Sequence, residues 1–205
     1  MPHELKAYYI NSGLLFRALA YVLINEKSYS LDDLQTPDAI DITQLRSLSD
    51  LVYIFKNDAE HILYCGTDIT PYLKTPLIDQ AASILSLNKT VRSIVRDWQH
   101  SIAAKHDVIV DGRDTGSIVF PAATYKFYVT ADVKERAQRW QCDQKMRGNK
   151  VTIEEAQKEI IARDERDSQR TLDPLIIPEG AHIIDTTTLT KQETLKRILN
   201  YIDNQ

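Results

Sequence analysis

Short runs of β-branched and aromatic residues alternate along this chain with longer stretches whose apolar positions recur every three to four residues. Residues 8–10 predict a very short strand, and 13–25 a helix with Leu15, Ala18, Leu19, Val22 and Leu23 as its apolar stripe. Asn11-Ser12-Gly13 supplies cap chemistry for that helix, and Ser12 reads first as a plain N-cap. Residues 3–7 look like the end of an earlier helix, and 42–48 predict a helix in an otherwise mixed stretch. Apolar runs at 51–55 and 61–65 flank Lys56-Asn57-Asp58-Ala59-Glu60, a hairpin signal that 66–70 extends. These strands predict a small antiparallel subdomain inserted into something else. Helices follow over 75–86, over 89–105 with Asn88 as cap, and over 132–147. After a break at Gly148-Asn149, Thr152 and Glu155 open another helix in capping-box fashion, running to about 170 with Pro174 marking its end. Strands at 125–130 and 182–186 and an amphipathic helix over 191–202 complete the pattern.

The stretch with the most chemistry lies between two of those helices. Val108-Ile109-Val110 reads as a strand buried on both faces, as in parallel sheets, and Asp111-Gly112-Arg113-Asp114-Thr115-Gly116 follows at once. Ligands of open α/β sheets gather beyond the carboxyl ends of such strands. There Gly112 and Gly116 would let backbone approach a ligand, Arg113 would fork onto a phosphate, and Asp111 and Asp114 would hold a base, a sugar or a hydrated metal. A solvated turn closed by an Asp–Arg pair explains the same residues equally well. Strands alternating with helices argue for an α/β fold with a parallel sheet flanked by helices.

Composition narrows the partners. With 43% hydrophobic and 26% charged residues, the 205-residue chain has the make-up of an ordinary globular protein. A net charge of −4 creates no general attraction for nucleic acid or an anionic membrane, so anion recognition has to come from a few converging arginines. Cys65 and Cys142 are too few and too far apart for a disulfide framework or a zinc site. Met1-Pro2-His3-Glu4 lacks signal-peptide character and no stretch is apolar enough to span a bilayer, so a reduced, cytoplasmic setting is expected.

Arg163, Asp167 and Arg170, spaced by four and three, predict one helix face suited to an anionic ligand with a polar ring. Such pairs also decorate exposed helices, and taken alone that plainer reading is the stronger one. Arg136 and Arg139, ahead of the Gly148-Asn149 break, suit either a lid closing over phosphates or an ordinary helical hairpin. His61, His100, His106 and His182 have no metal-ligand spacing, and no metal site is expected.

The ordered series is more specific than any of its parts. Tyr9-Ile10-Asn11-Ser12-Gly13-Leu14-Leu15-Phe16-Arg17, Ala81-Ala82-Ser83, Val91-Arg92, Asp111-Gly112-Arg113-Asp114-Thr115-Gly116, Phe120-Pro121, Arg163-Asp164-Glu165-Arg166-Asp167, Arg170 and Asp185-Thr186-Thr187 together resemble the bacterial cytidylate kinases, from about Tyr8 to the C-terminus. The resemblance implies a P-loop-kinase type of α/β fold and transfer of the γ-phosphoryl of ATP to CMP or dCMP, giving CDP or dCDP. It implies that Ser12 and Asp114 meet the cytidine part, that Ser83 and Arg92 lie near the base, and that Asp167 contacts the sugar. Arg17, Arg113, Arg163 and Arg170 would gather the acceptor phosphate, with Arg113, Arg163 and Arg170 acting on the charge in transfer. Arg136 and Arg139 would belong to the lid, although Trp140 stands where relatives often carry a further arginine. The implied domains are a core of 1–30, 88–135 and 172–205, a monophosphate-binding insertion over 31–87 with the hairpin, and a helical lid over 136–171. Mg2+ would accompany ATP, and the implied state is a monomer without nucleic-acid or membrane partners.

One feature of the resembled family has no counterpart in these residues. The family opens with a strand and a glycine-rich loop ending in Gly-Lys-Ser/Thr, whose backbone N–H groups cradle the ATP phosphates. No such run occurs in the 205 residues, and the expectation is a chain truncated at its N-terminus. On that expectation transfer by the chain as given is open, the alternative being a catalytically incomplete CMP-binding relative without ATP phosphate binding. A sheet without its first strand is also expected to show unpaired strand edges and exposed apolar residues.

Overall fold

The computed structural model describes residues 7–36, 40, 50–146 and 148–204. They form two compact units, Met1–Gly112 and Arg113–Gln205. The helix read at 42–48, and the one at 3–7 save for Ala7, lie outside the described residues.

The first unit begins with strand β1 (Tyr8–Asn11), which pairs in parallel with β5 (Val108–Asp111), Ile10 standing opposite Val110. Helix α1 (Ser12–Tyr21) starts on Asn11, whose extended backbone and side-chain oxygen, accepting from the Leu14 N–H at 3.2 Å, make it the N-cap. Ser12 is therefore not the cap. Asparagine reaches the orphan N–H groups of the first turn at least as well as serine, and here it stands one residue earlier. The helix continues as a π-helical turn, Val22–Glu26, and a short helix α2 (Leu31–Gln35) follows with a capping box from Ser30 to Asp33.

Strands β2 (Leu51–Lys56) and β3 (Ala59–Tyr64) form the expected hairpin. Its turn is tighter than the sequence suggested: only Asn57 and Asp58 lie outside the strands, both with positive φ, which suits the right-handed strand twist. Strand β4 (Thr67–Asp68) adds the third strand. Two tyrosine hydroxyls fasten this sheet to β1. That of Tyr53 accepts from the Asn11 N–H at 3.2 Å and donates to the Tyr9 carbonyl at 2.9 Å. That of Tyr8 accepts from the Phe55 N–H at 2.7 Å and donates to the Tyr53 carbonyl at 3.1 Å.

Helix α3 (Pro76–Leu85), capped by Thr75 with proline in its first turn, packs against α1. Helix α4 (Lys89–Ala103) starts on Asn88, which accepts from the N–H groups of Thr90 and Val91. Ile10, Leu15, Leu19, Leu23, Ile62, Leu73, Leu85, Val91 and Val95 are buried in one cluster drawn from every layer of this unit. Burying a side chain of that size is worth about 1.5–3 kcal/mol, so this cluster is the main source of the unit's stability.

Strand β5 corrects the reading of a strand buried on both faces: Val108 and Val110 are half-buried, but Ile109 is 54% exposed. Among the described residues β5 pairs along one edge only, with β1. Ile109 is an exposed apolar position of the kind expected.

In the second unit β6 (Phe127–Thr130) and β7 (His182–Asp185) form a second parallel pair, again two strands wide. Helices α5 (Val133–Met146) and α6 (Ile153–Gln169) pack together with Ala137 and Ala156 buried, residues small enough for close approach. The Thr152–Glu155 capping box opens α6 as predicted. The helix ends at Gln169, close to the expected 170, and Arg170 turns to extended backbone. Helix α7 (Lys191–Asp203) closes the unit on a Thr190–Glu193 capping box. Among the described residues no helix is long and apolar enough to cross a membrane.

Candidate active site

Ser12 occupies the first turn of α1 and is 6% exposed. Freed from capping, its hydroxyl donates to Gln99 Oε1 at 3.0 Å, a bond between buried side chains 87 residues apart. Further along the same helix, Arg17 Nε meets Asp79 Oδ1 at 2.6 Å. A Cβ on Gly13 would come within 2.9 Å of Arg17 Nη1, so the glycine leaves the room in which that guanidinium sits. Asp79 lies in the first turn of α3, where a carboxylate is favoured by the helix dipole. Ser83 is exposed on α3, whereas Arg92 is buried and donates from Nη1 to the Ser86 carbonyl at 3.0 Å, closing the end of that helix. Asn11 Nδ2 donates to Glu60 Oε1 at 3.2 Å, bringing a hairpin carboxylate to the start of α1. Tyr9 is pushed up to about 12 by burial first, then by the negative charges of Asp111 and Glu60.

The second unit gathers Arg113, Asp114, Arg163, Asp167 and Arg170. Arg113 Nε lies 3.2 Å and Arg163 Nε 3.8 Å from the same oxygen, Asp167 Oδ2. Arg170 Nη2 stands 4.0 Å from Asp114 Oδ1, while its Nε donates to the Asp173 carbonyl at 2.6 Å. Arg170 thus does not share a helix face with Arg163 and Asp167, as its spacing predicted; it is the C-cap of α6 and bends away. Exposure sorts the arginines: the side chain of Arg170 is 7% exposed, those of Arg113 and Arg163 43% and 49%. Arg170 is therefore largely buried, and Arg113 and Arg163 are partly exposed beside Asp167. The Asp114 carbonyl starts the π-helical turn Thr115–Val119 by accepting from the N–H groups of Ile118 and Val119. A Cβ on Gly116 would meet Pro178 Cγ at 3.0 Å, so packing within the unit favours a glycine there.

The two arginines of the expected lid are engaged within their own unit. Arg136 donates from Nη1 and Nη2 to the two oxygens of Asp164 at 2.8 and 2.6 Å, and from Nε to the Ala131 carbonyl. The bonds to Asp164 hold the Arg136 guanidinium above its usual range, so it stays charged. Arg139 bonds Glu135 through Nε and both the hydroxyl and the carbonyl of Thr186, at 3.1 and 2.7 Å, through its terminal nitrogens. Among the described residues no group of three His, Cys, Asp or Glu side chains could hold a metal ion.

Sequence reasoning missed Gln99, Asp79, Glu60 and Tyr53. Gln99 had a visible signal, since it interrupts the apolar stripe of Val91, Val95 and Ile102 on α4. The others had none, because their partners lie far away in sequence.

A family model described as cytidylate kinase matches residues 1–204. The chain belongs to the cytidylate kinase family. Its relatives include the cytidylate kinase of Caldanaerobacter subterraneus subsp. tengcongensis, 37% identical over 194 residues that cover 95% of this chain and 82% of the relative. The cytidylate kinase of Alkaliphilus oremlandii is 38% identical over 203 residues, covering 98% and 88%. That of Bacillus subtilis is 32% identical over 203 residues with the same coverage. Cytidylate kinases are nucleoside monophosphate kinases, transferases that move a phosphoryl group from ATP to CMP or dCMP. In a reaction of that class positioning and charge neutralisation do most of the work, and little covalent chemistry is asked of the protein.

Proposed function

We propose that this chain recognises CMP and dCMP through the residues described above and serves phosphoryl transfer from ATP by gathering charge around the acceptor. The observation that carries the reading is the sharing of Asp167 Oδ2 by Arg113 and Arg163, with Arg170 set against Asp114. Guanidinium groups converging from separate stretches, and steadied by carboxylates, suit a phosphate that arrives to take over some of those contacts. Arg113, Arg163 and Arg170 act on the charge in transfer, a role that can be worth a factor of ~10³ or more in rate. Arg17 assists with the acceptor phosphate, Ser12 and Asp114 meet the cytidine, Ser83 and Arg92 lie near the base, and Asp167 contacts the sugar. The hairpin belongs to a monophosphate-binding insertion over 31–87. The helices of 136–171, with Arg136 and Arg139, form a lid on a core of 1–30, 88–135 and 172–205.

Mg2+ enters this reading with ATP, since such ions are held largely by substrate phosphates and water. Among the described residues no group of three His, Cys, Asp or Glu side chains forms a cage for it. The chain acts as a monomer in the cytoplasm.

Calorimetric titration with CMP, dCMP and ATP, beside an assay of CMP-dependent ADP formation, tests the reading. Binding of CMP with ADP formation supports it in full. Binding of CMP without ATP binding or turnover leaves recognition alone. Absence of CMP binding overturns it.

A further inference from the structure

We infer that Gln99 makes the Ser12 hydroxyl an acceptor only toward a ligand, and so selects a pyrimidine carrying an amino group over one carrying a carbonyl at the same ring position. The inference rests on the proposed contact of Ser12 with the cytidine part. A serine hydroxyl has one hydrogen to donate and two lone pairs to offer. Here the hydrogen is committed: Ser12 Oγ donates to Gln99 Oε1 at 3.0 Å, and Gln99 is 2% exposed. What remains for a ligand is lone-pair density on a serine that is itself 6% exposed. The 4-amino group of cytosine donates a hydrogen bond and matches it; the 4-carbonyl of uracil accepts, and would place one acceptor against another.

Turning the hydroxyl around to suit uracil would either strip a buried amide oxygen of its hydrogen bond or require the buried Gln99 amide to rotate and present its NH2 to Ser12. A buried acceptor left bare is penalised enough to reduce binding roughly tenfold or more. Sites that hydrogen-bond a substrate group discriminate by this mechanism, because the wrong substrate leaves buried polar atoms unpaired. Gln99 needs no contact with the nucleotide; it is a positioning residue acting through Ser12. Its place in the apolar stripe of α4, where another aliphatic residue would pack, fits that role.

The test measures CMP and UMP affinity by calorimetry on the full chain and on its Gln99→Met, Gln99→Glu and Ser12→Ala variants, each checked by thermal unfolding. Gln99→Met removes the acceptor at similar volume, and is expected to narrow the CMP-over-UMP ratio about tenfold or more, mainly by tighter UMP binding. Gln99→Glu keeps an acceptor at both terminal positions and is expected to retain the ratio. Gln99→Asn, which draws the amide back by one carbon, substitutes for the methionine variant if that one does not fold, with the same narrowing expected. An unchanged ratio in Gln99→Met alongside a narrowed one in Ser12→Ala overturns the inference while leaving the Ser12 contact standing. A ratio unmoved in both, or CMP and UMP weakened equally, overturns the contact itself. A ratio lost in Gln99→Glu as in Gln99→Met also refutes the inference, because an acceptor would then not suffice.

Discussion

Arg136 grips Asp164 through two parallel hydrogen bonds of 2.8 and 2.6 Å, joining α5 to α6 across 28 residues of sequence. The planar fork of a guanidinium fits a carboxylate in a way that a lysine ammonium cannot reproduce. This unit has few buried apolar side chains, with alanines at the helix contact, so a polar link there carries more weight than it would beside a large core.

Arg136→Lys should accordingly lower stability by about 1 kcal/mol, the scale of a partly exposed bidentate pair. Faster amide hydrogen exchange in α5 and α6 should accompany it, with α1 unaffected. Uniform exchange changes throughout the chain would contradict a local role.

Arg113→Ala should weaken CMP binding at least tenfold while moving stability by less than about 1 kcal/mol. The side chain is 43% exposed and its partner Asp167 is shared with Arg163, so the fold depends little on it. Calorimetry and thermal melting separate the two effects, and unchanged affinity would remove Arg113 from the binding set.

Tyr53→Phe leaves the Asn11 N–H and the Tyr9 carbonyl without the hydroxyl that serves both. A loss of about 1–3 kcal/mol is expected, with increased protease cleavage in the hairpin. Tyr8→Phe should act similarly through the Phe55 N–H and the Tyr53 carbonyl.

Acid should weaken the fold through its caps. The Thr152 and Thr190 backbone N–H groups, and then their hydroxyls, hold Glu155 and Glu193 below the ordinary value of 4.5. The Thr70 and then the His61 hydrogen bonds hold Asp68 below 3.8. Groups lowered on folding contribute stability above those ordinary values and lose it as pH falls through the lower folded ones. A Glu155→Gln, Glu193→Gln double variant should show a flatter decline in melting temperature below pH 4.5 than the unsubstituted chain.

Tyr9 gives the opposite dependence at the alkaline end. Its folded value is raised from 10.0 to about 12, so the stability it contributes is complete below pH 10.0 and is lost as pH rises toward about 12. Tyr9→Phe should remove that part of the alkaline loss, as melting curves between pH 9 and 12 would reveal.

The caps at Asn88 and Thr152, the hairpin around Asn57-Asp58 and the helix boundaries near them were legible in the sequence because each depends on residues within a few positions of one another. The family was legible too, in the order of short motifs from Tyr9 to Thr187. Partner choice was not. Ser12 passed its capping role to Asn11 and found Gln99, Arg170 left its helix for the neighbourhood of Asp114, and Arg136 took Asp164. Periodicity says which face of an element is apolar, but not which distant polar group will come to lie against it. That is decided when the elements pack, because burying a donor or acceptor is tolerable only beside a partner, and only the folded chain brings the two together.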